Sequence, residues 1–191
     1  MHLIDSHTHI YGEEFDEDRD AMLQRAAEAG VGQMVLPNVD LESYPRLLEL
    51  CATHPQRLFQ TIGLHPTYVK EDYDTQLRAM ETELTQRTHV AIGEIGLDYY
   101  WDNTYQKEQI DAFKRQLHWA AQHDLPVILH IREAFADAFS VLREINLPQL
   151  RGVFHSFTGT EEELREALSF EHFYIGINGV VTFKNSTLKE Y

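Results

Sequence analysis

MHLIDSHTHI, residues 1–10, opens with an apolar pair, Leu3-Ile4, and passes at once into Asp5, Ser6, His7, Thr8 and His9. Two imidazoles one residue apart beside a carboxylate belong either to a solvated tail or to the end of a first strand. Residues two apart on a strand point to the same face, so on the second reading both rings aim at one point. The rest of the sequence decides between the two.

It decides by rhythm. Short β-type runs at 2–5, 33–37, 58–63, 90–94, 126–130, 152–155 and 173–177 alternate with amphipathic stretches at 18–29, 41–53, 75–86, 105–123, 132–144 and 161–170. Within 105–123, Ile110, Phe113, Leu117 and Ala121 recur at three- and four-residue steps, the apolar stripe of a helix. Asp18, Thr75 and Thr160 are placed to cap helix starts, and Gly30 stands where a helix would stop. Pro37, Pro66 and Pro126 punctuate loops or strand starts. Strand starts recur at the spacing of βα units, which suits a doubly wound sheet or a (β/α)₈ barrel. Polar residues at nearly every strand's carboxyl end favour the barrel, whose active site is assembled there. The expected fold is therefore α/β, a TIM-barrel-type arrangement with seven of its eight strands. It forms one domain over 1–191 that lacks its C-terminal βα portion, because FKNSTLKEY follows the seventh strand. Such a sheet leaves edges open to pairing with another chain.

Composition narrows the classes. A chain of 191 residues with 43% hydrophobic and 25% charged residues suits one globular domain with one core. No apolar run approaches a membrane span and the start lacks a signal peptide's features, so no membrane partner is expected. Cys51 is the single cysteine, which fits a reducing cytoplasmic setting. A net charge of −15 argues against gripping a long duplex along a broad surface. It leaves room for a small phosphate pocket whose sign bound metal reverses. Nothing in the sequence allows a stable protein partner to be inferred.

The expected strand ends carry His7, His9, Asn38, His65, Glu94, His130 and His155. On a barrel such positions converge on one mouth. Imidazole nitrogen and carboxylate oxygen bind Zn²⁺, Mn²⁺ and similar ions. Four histidines with Glu94 suffice for two divalent ions sharing a carboxylate, a site that activates water for hydrolysis. Ligating histidines also need hydrogen-bond partners that fix their tautomers, and Asp5 and Asp98 are the candidates.

DSHTHI at Asp5, GLHP at Gly63, GEIGLDYY at Gly93, LHIRE at Leu129, FHSFTG at Phe154 and GINGVVTFKN at Gly176 occur in that order. With these motifs the chain resembles the TatD family of metal-dependent deoxyribonucleases, a branch of the amidohydrolase-like barrels. The resemblance implies His7 and His9 on one metal, Glu94 bridging two as the catalytic carboxylate, and His130 and His155 on the second. It also implies an Asp after an eighth strand, a position beyond this sequence. The family is Mg²⁺-dependent, whereas four histidines suit softer ions, so Mg²⁺, Mn²⁺ and Zn²⁺ all remain candidates.

The expected function is hydrolysis of DNA phosphodiester bonds at DNA ends or in short single strands. The alternatives are a small amide, ester or phosphoester substrate, or an inactive truncated form. His65, Arg132 and Lys184 are the expected phosphate contacts, Arg132 through its planar fork. Tyr99, Tyr100 and Trp101 could stack on a base or plug the barrel mouth, with the plug favoured. His2, His54, His89, His118, His123 and His172 are expected bystanders. The acidic runs 13–18 and 161–163 read as solvated helix approaches.

Overall fold

The computed structural model describes residues 2–190. Seven strands run β1 (Leu3–Asp5), β2 (Val31–Leu36), β3 (Leu58–Gln60), β4 (Ile92–Asp98), β5 (Val127–Arg132), β6 (Gly152–His155) and β7 (Phe173–Ile175). Between them lie α1 (Arg19–Glu28), α2 (Tyr44–Thr53), α3 (Tyr73–Gln86), α4 (Gln106–Gln122), α5 (Phe135–Ile145) and α6 (Glu161–Ala167). All pairings are parallel, in the orders β1-β2-β3 and β4-β5-β6-β7. An isolated parallel bridge between Ile62 and Ile92 joins the two sets, so the strands follow one another in chain order as in a (β/α) barrel. Among the described residues β1 pairs only with β2 and β7 only with β6, which leaves two edges. Ile4, Tyr174 and Ile177 are exposed on or beside those edges.

Asn38, fully buried after β2, stitches the two sheets together. Its N–H donates to the Gly93 carbonyl at 3.2 Å, its carbonyl accepts from Glu94 N–H at 2.8 Å, and its Nδ2 donates to the Gly63 carbonyl at 3.0 Å. These bonds satisfy backbone groups between the sheets, where the Thr61 hydroxyl also accepts from Asn38 N–H and donates to the Gly93 carbonyl. Asn38 is thus a structural joint.

Helix α4 does the same for the strand ends. Phe113 and Leu117 of its stripe are fully buried, and Ile110 and Ala121 pack against the core. Gln109 and Gln116 sit on the same face, also buried. Gln109 accepts from Asp98 N–H at 2.9 Å and donates to its carbonyl at 3.1 Å. Gln116 makes the same pair of bonds to Leu64, at 2.7 and 3.2 Å. One helix therefore fixes the residues that follow β3 and end β4.

Three local expectations change. Asp18 precedes α1 but makes no side-chain cap bond. The strand expected at 90–94 is β4 at Ile92–Asp98, buried along its whole length, with Glu94 third in the strand rather than at its end. A strand covered on both faces shows no polar alternation to mark its limits. Helix α3 begins at Tyr73 behind Asp72, so Thr75 lies inside its first turn and does not cap it. Thr160 does cap α6, in a reciprocal box with Glu163. Gly30 follows α1 with φ +92°, where a side chain would be strained.

Candidate metal centre

The buried carboxylate of Glu94, 3% exposed, is the hub of the barrel mouth. One oxygen, Oε2, lies 3.2 Å from His7 Nε2 and 3.4 Å from His9 Nε2, and those two nitrogens are 3.0 Å apart. The other, Oε1, lies 3.2 Å from His130 Nδ1 and 3.8 Å from His65 Nε2. Two groups of donors result, His7-His9-Glu94 and His65-Glu94-His130, each with its atoms within 4.8 Å of one another. Edges of 3.0 to 3.4 Å in the first group are close to, and slightly shorter than, the roughly 3.3–3.6 Å edges of a tetrahedral ion bonded at about 2.0–2.2 Å. The residues present therefore fit divalent metal, with Glu94 offering one oxygen to each group.

Position follows from the chain. His7 and His9 leave β1 through a turn in which Asp5 Oδ1 accepts the His7 N–H at 3.0 Å. Asp5 thus sets the backbone and does not orient a ring, contrary to one expectation. His9 is oriented by Tyr11, whose hydroxyl lies 3.1 Å from His9 Nδ1 and donates to the Pro37 carbonyl at 2.7 Å. Asp98 meets the other expectation: its Oδ2 lies 2.7 Å from His130 Nε2. A proton held there leaves Nδ1 of His130 facing Glu94.

Charge follows geometry. Burial opposes ionisation of Glu94, but hydrogen bonds from His130, His7 and His9 overcome it and hold the carboxyl well below its usual range. Burial likewise opposes the charged form of His130, yet Asp98 and Glu94 on its two nitrogens raise it to about 9. Burial pushes His65 down to about 3 and His155 down to about 4, so both stay neutral near pH 7, as ligands or acceptors.

The sequence-derived residues are distributed unevenly. His7, His9, Glu94, His130 and His65 converge. His155 lies at the end of β6 opposite His130 in register, but its ring stacks flat on His7, centroids 3.3 Å apart. A cavity of about 690 Å³ opens beside them, lined by His130, Arg132, His155, Ser156 and Phe183 among others. Arg132 forms no ion pair among the described residues, and its guanidinium lies 3.6 Å above the Tyr100 ring. Lys184 is exposed and does not line this cavity. The expected aromatic plug is absent: Tyr100 and Trp101 are 48% and 69% exposed, and Tyr99 turns its hydroxyl to Asp137 at 2.8 Å. Asp98 is the reason, since its Oδ1 accepts the N–H groups of Tyr100 and Trp101 at 3.0 and 3.2 Å and turns the chain outward. Tyr11, Gln109 and Gln116 escape sequence reading. The one sign of the glutamines is an amide at helical spacing inside the apolar stripe of α4.

A parallel barrel with clustered imidazoles around one buried carboxylate defines a class of metal-binding barrels. The family model for TatD-related DNases matches residues 4–190, and the chain belongs to that family. It is 32% identical over 184 residues to the uncharacterized metal-dependent hydrolase YabD of Bacillus subtilis, covering 96% of this chain and 71% of that one. It is 35% identical over 178 residues to the 3'-5' ssDNA/RNA exonuclease TatD of Erwinia tasmaniensis, covering 93% and 68%. The crystal structure of YjjV, a TatD homologue from Escherichia coli, superposes with a TM-score of 0.89 at 34% identity, covering 98% of this chain and 73% of that one.

Proposed function

We propose that this chain is a divalent-metal-dependent hydrolase that cleaves phosphodiester bonds at DNA ends or in short single strands. The observation that carries the reading is Glu94, whose two oxygens each face a pair of imidazole nitrogens, beside a cavity that His130 and His155 line. His7, His9 and Glu94 would hold one ion. Glu94 and His130 would hold a second, joined by His155 or by His65, which the geometry puts closer. Bound there, divalent metal supplies Lewis acidity and lowers the pKa of water. Glu94 fixes the spacing of the two groups, and Asp98 keeps Nδ1 of His130 turned inward. Arg132 at the cavity wall offers a planar fork to phosphate oxygens. His65, neutral and at the same mouth, can accept or donate a hydrogen bond to the phosphate if it is not a ligand. Lys184 would add charge as the phosphate enters. The Erwinia relative's name supports a nucleic-acid substrate.

The test is reconstitution with Mn²⁺, Zn²⁺ or Mg²⁺, with elemental analysis alongside cleavage of labelled single strands, paired ends and a panel of amides and esters. Strand cleavage that EDTA and Glu94→Gln abolish, with metal lost from the variant, is expected. Turnover of acyl substrates with intact strands would replace this reading with an amide or ester hydrolase.

A further inference from the structure

Trp101 is an exposed aromatic whose backbone position is set by Asp98. Its backbone N–H donates to Asp98, the carboxylate that also orients His130. Its indole meets the Tyr100 ring edge-on at 4.9 Å, and the Arg132 guanidinium lies 5.3 Å from it and 3.6 Å above Tyr100. Tyr100 takes the flat face of the guanidinium, so the N–H edge stays open to an anion. Trp101 also walls a second cavity, about 240 Å³, between the mouths of β3 and β4. Pro66, Thr67, Lys70 and Tyr105 line it, with Asp98 among them. Lys70 is paired there with Asp102 at 2.9 Å. Asp98 therefore ties an inward imidazole to the outward turn that carries Tyr100 and Trp101, and Tyr100 in turn lies under the Arg132 guanidinium.

We propose that Trp101 is the stacking platform for one unpaired base of the substrate, next to the phosphate that Arg132 receives. This deepens the phosphodiester reading above and rests on it. An exposed indole accepts the face of any base, so the contact is tolerant of sequence. A base inside a duplex has both faces covered by its neighbours and cannot use it. Trp101 thus selects frayed or single-stranded ends, and a metal centre on the barrel floor meets the phosphate beside the stacked base.

The chain has two tryptophans, and the other, Trp119, is buried on α4. Trp119→Phe leaves Trp101 as the sole indole emitter. In EDTA, a short oligothymidylate should quench that emission, and an abasic strand of equal length should not. Anisotropy of a labelled oligothymidylate should show binding about tenfold weaker in Trp101→Ala than in the unsubstituted chain, with most of it restored in Trp101→Phe. Both substitutions lie at an exposed site, so the anisotropy comparison stands even if Trp119→Phe fails to fold. Equal quenching by the abasic strand, or Trp101→Ala binding within twofold, overturns the proposal. The two readings fail separately. Stacking in EDTA without cleavage under metal overturns only the phosphodiester reading, and cleavage without stacking overturns only the role of Trp101.

Discussion

Asp98 joins two parts of the site with one carboxylate. Oδ2 holds His130 Nε2, and Oδ1 holds the two N–H groups that swing Tyr100 and Trp101 outward. Its place in GLDYY makes it visible in sequence, but its partner lies 32 residues away, and only the sheet register brings the two together. His89 is the opposite case. The sequence reads it as a bystander outside the strand ends. It is buried nonetheless, 2.7 Å from the Tyr44 hydroxyl. Burial lowers it from 6.5 to about 4, against the Arg87 backbone and the Glu83 charge, which pull upward, and with the charges of Arg87 and His123, which push down. Between those values the unfolded chain binds the extra proton, so the contribution of His89 is full above about pH 6.5 and is lost as pH falls toward 4. Urea midpoints measured at pH 7 and pH 5 should drop more steeply in the wild type than in His89→Gln. Parallel slopes would remove His89 from the acid response.

Among the elements, β4 is where sequence and structure part most usefully. GEIGLD contains two glycines and no polar alternation, so the pattern suggests a strand that stops at Glu94. The strand continues to Asp98 because helices and neighbouring strands cover both of its faces, and every residue in it is buried. Gly96 explains the second glycine. It has φ +142° and pairs with His130 in register, and a β-carbon there would overlap the His130 carbonyl oxygen. The glycine lets β5 approach closely enough for His130 to reach Glu94. Gly96→Ala should therefore cost about 1–3 kcal/mol of stability and weaken metal uptake in the same variant. Gly179→Ala, where a β-carbon meets nothing within 4 Å, should change neither. Urea unfolding and elemental analysis on the two variants give the comparison, and an undisturbed Gly96→Ala would mean that β5 can shift freely.

At the scale of the molecule, the alternation of runs was enough to reveal the barrel and to line up the polar strand ends. The gathering of His7, His9 and His130 around Glu94 was legible from the strand ends, but the places of His65 and His155 were not, because ring direction depends on the path of each chain segment leaving its strand. His65 swings in toward Glu94 while His155 lies against His7. The same convergence predicts a stability effect. The donors come from the ends of β1 and β3 and from within β4 and β5, so an unfolded chain cannot gather them, and an ion binds the folded state alone. Its stabilisation then follows RT ln(1 + [L]/Kd), about 2.7 kcal/mol at a hundredfold excess over Kd. A chain of this size gains roughly 2–4 °C per kcal/mol, so Tm should rise by roughly 5–11 °C when Zn²⁺ or Mn²⁺ replaces EDTA. His7→Ala and Glu94→Gln should lose that rise, because each removes a donor from the group built on Glu94 Oε2. His118→Ala, on the exposed side of α4, should keep it. A Tm indifferent to metal, or a full rise in Glu94→Gln, would place the ion elsewhere than on this carboxylate.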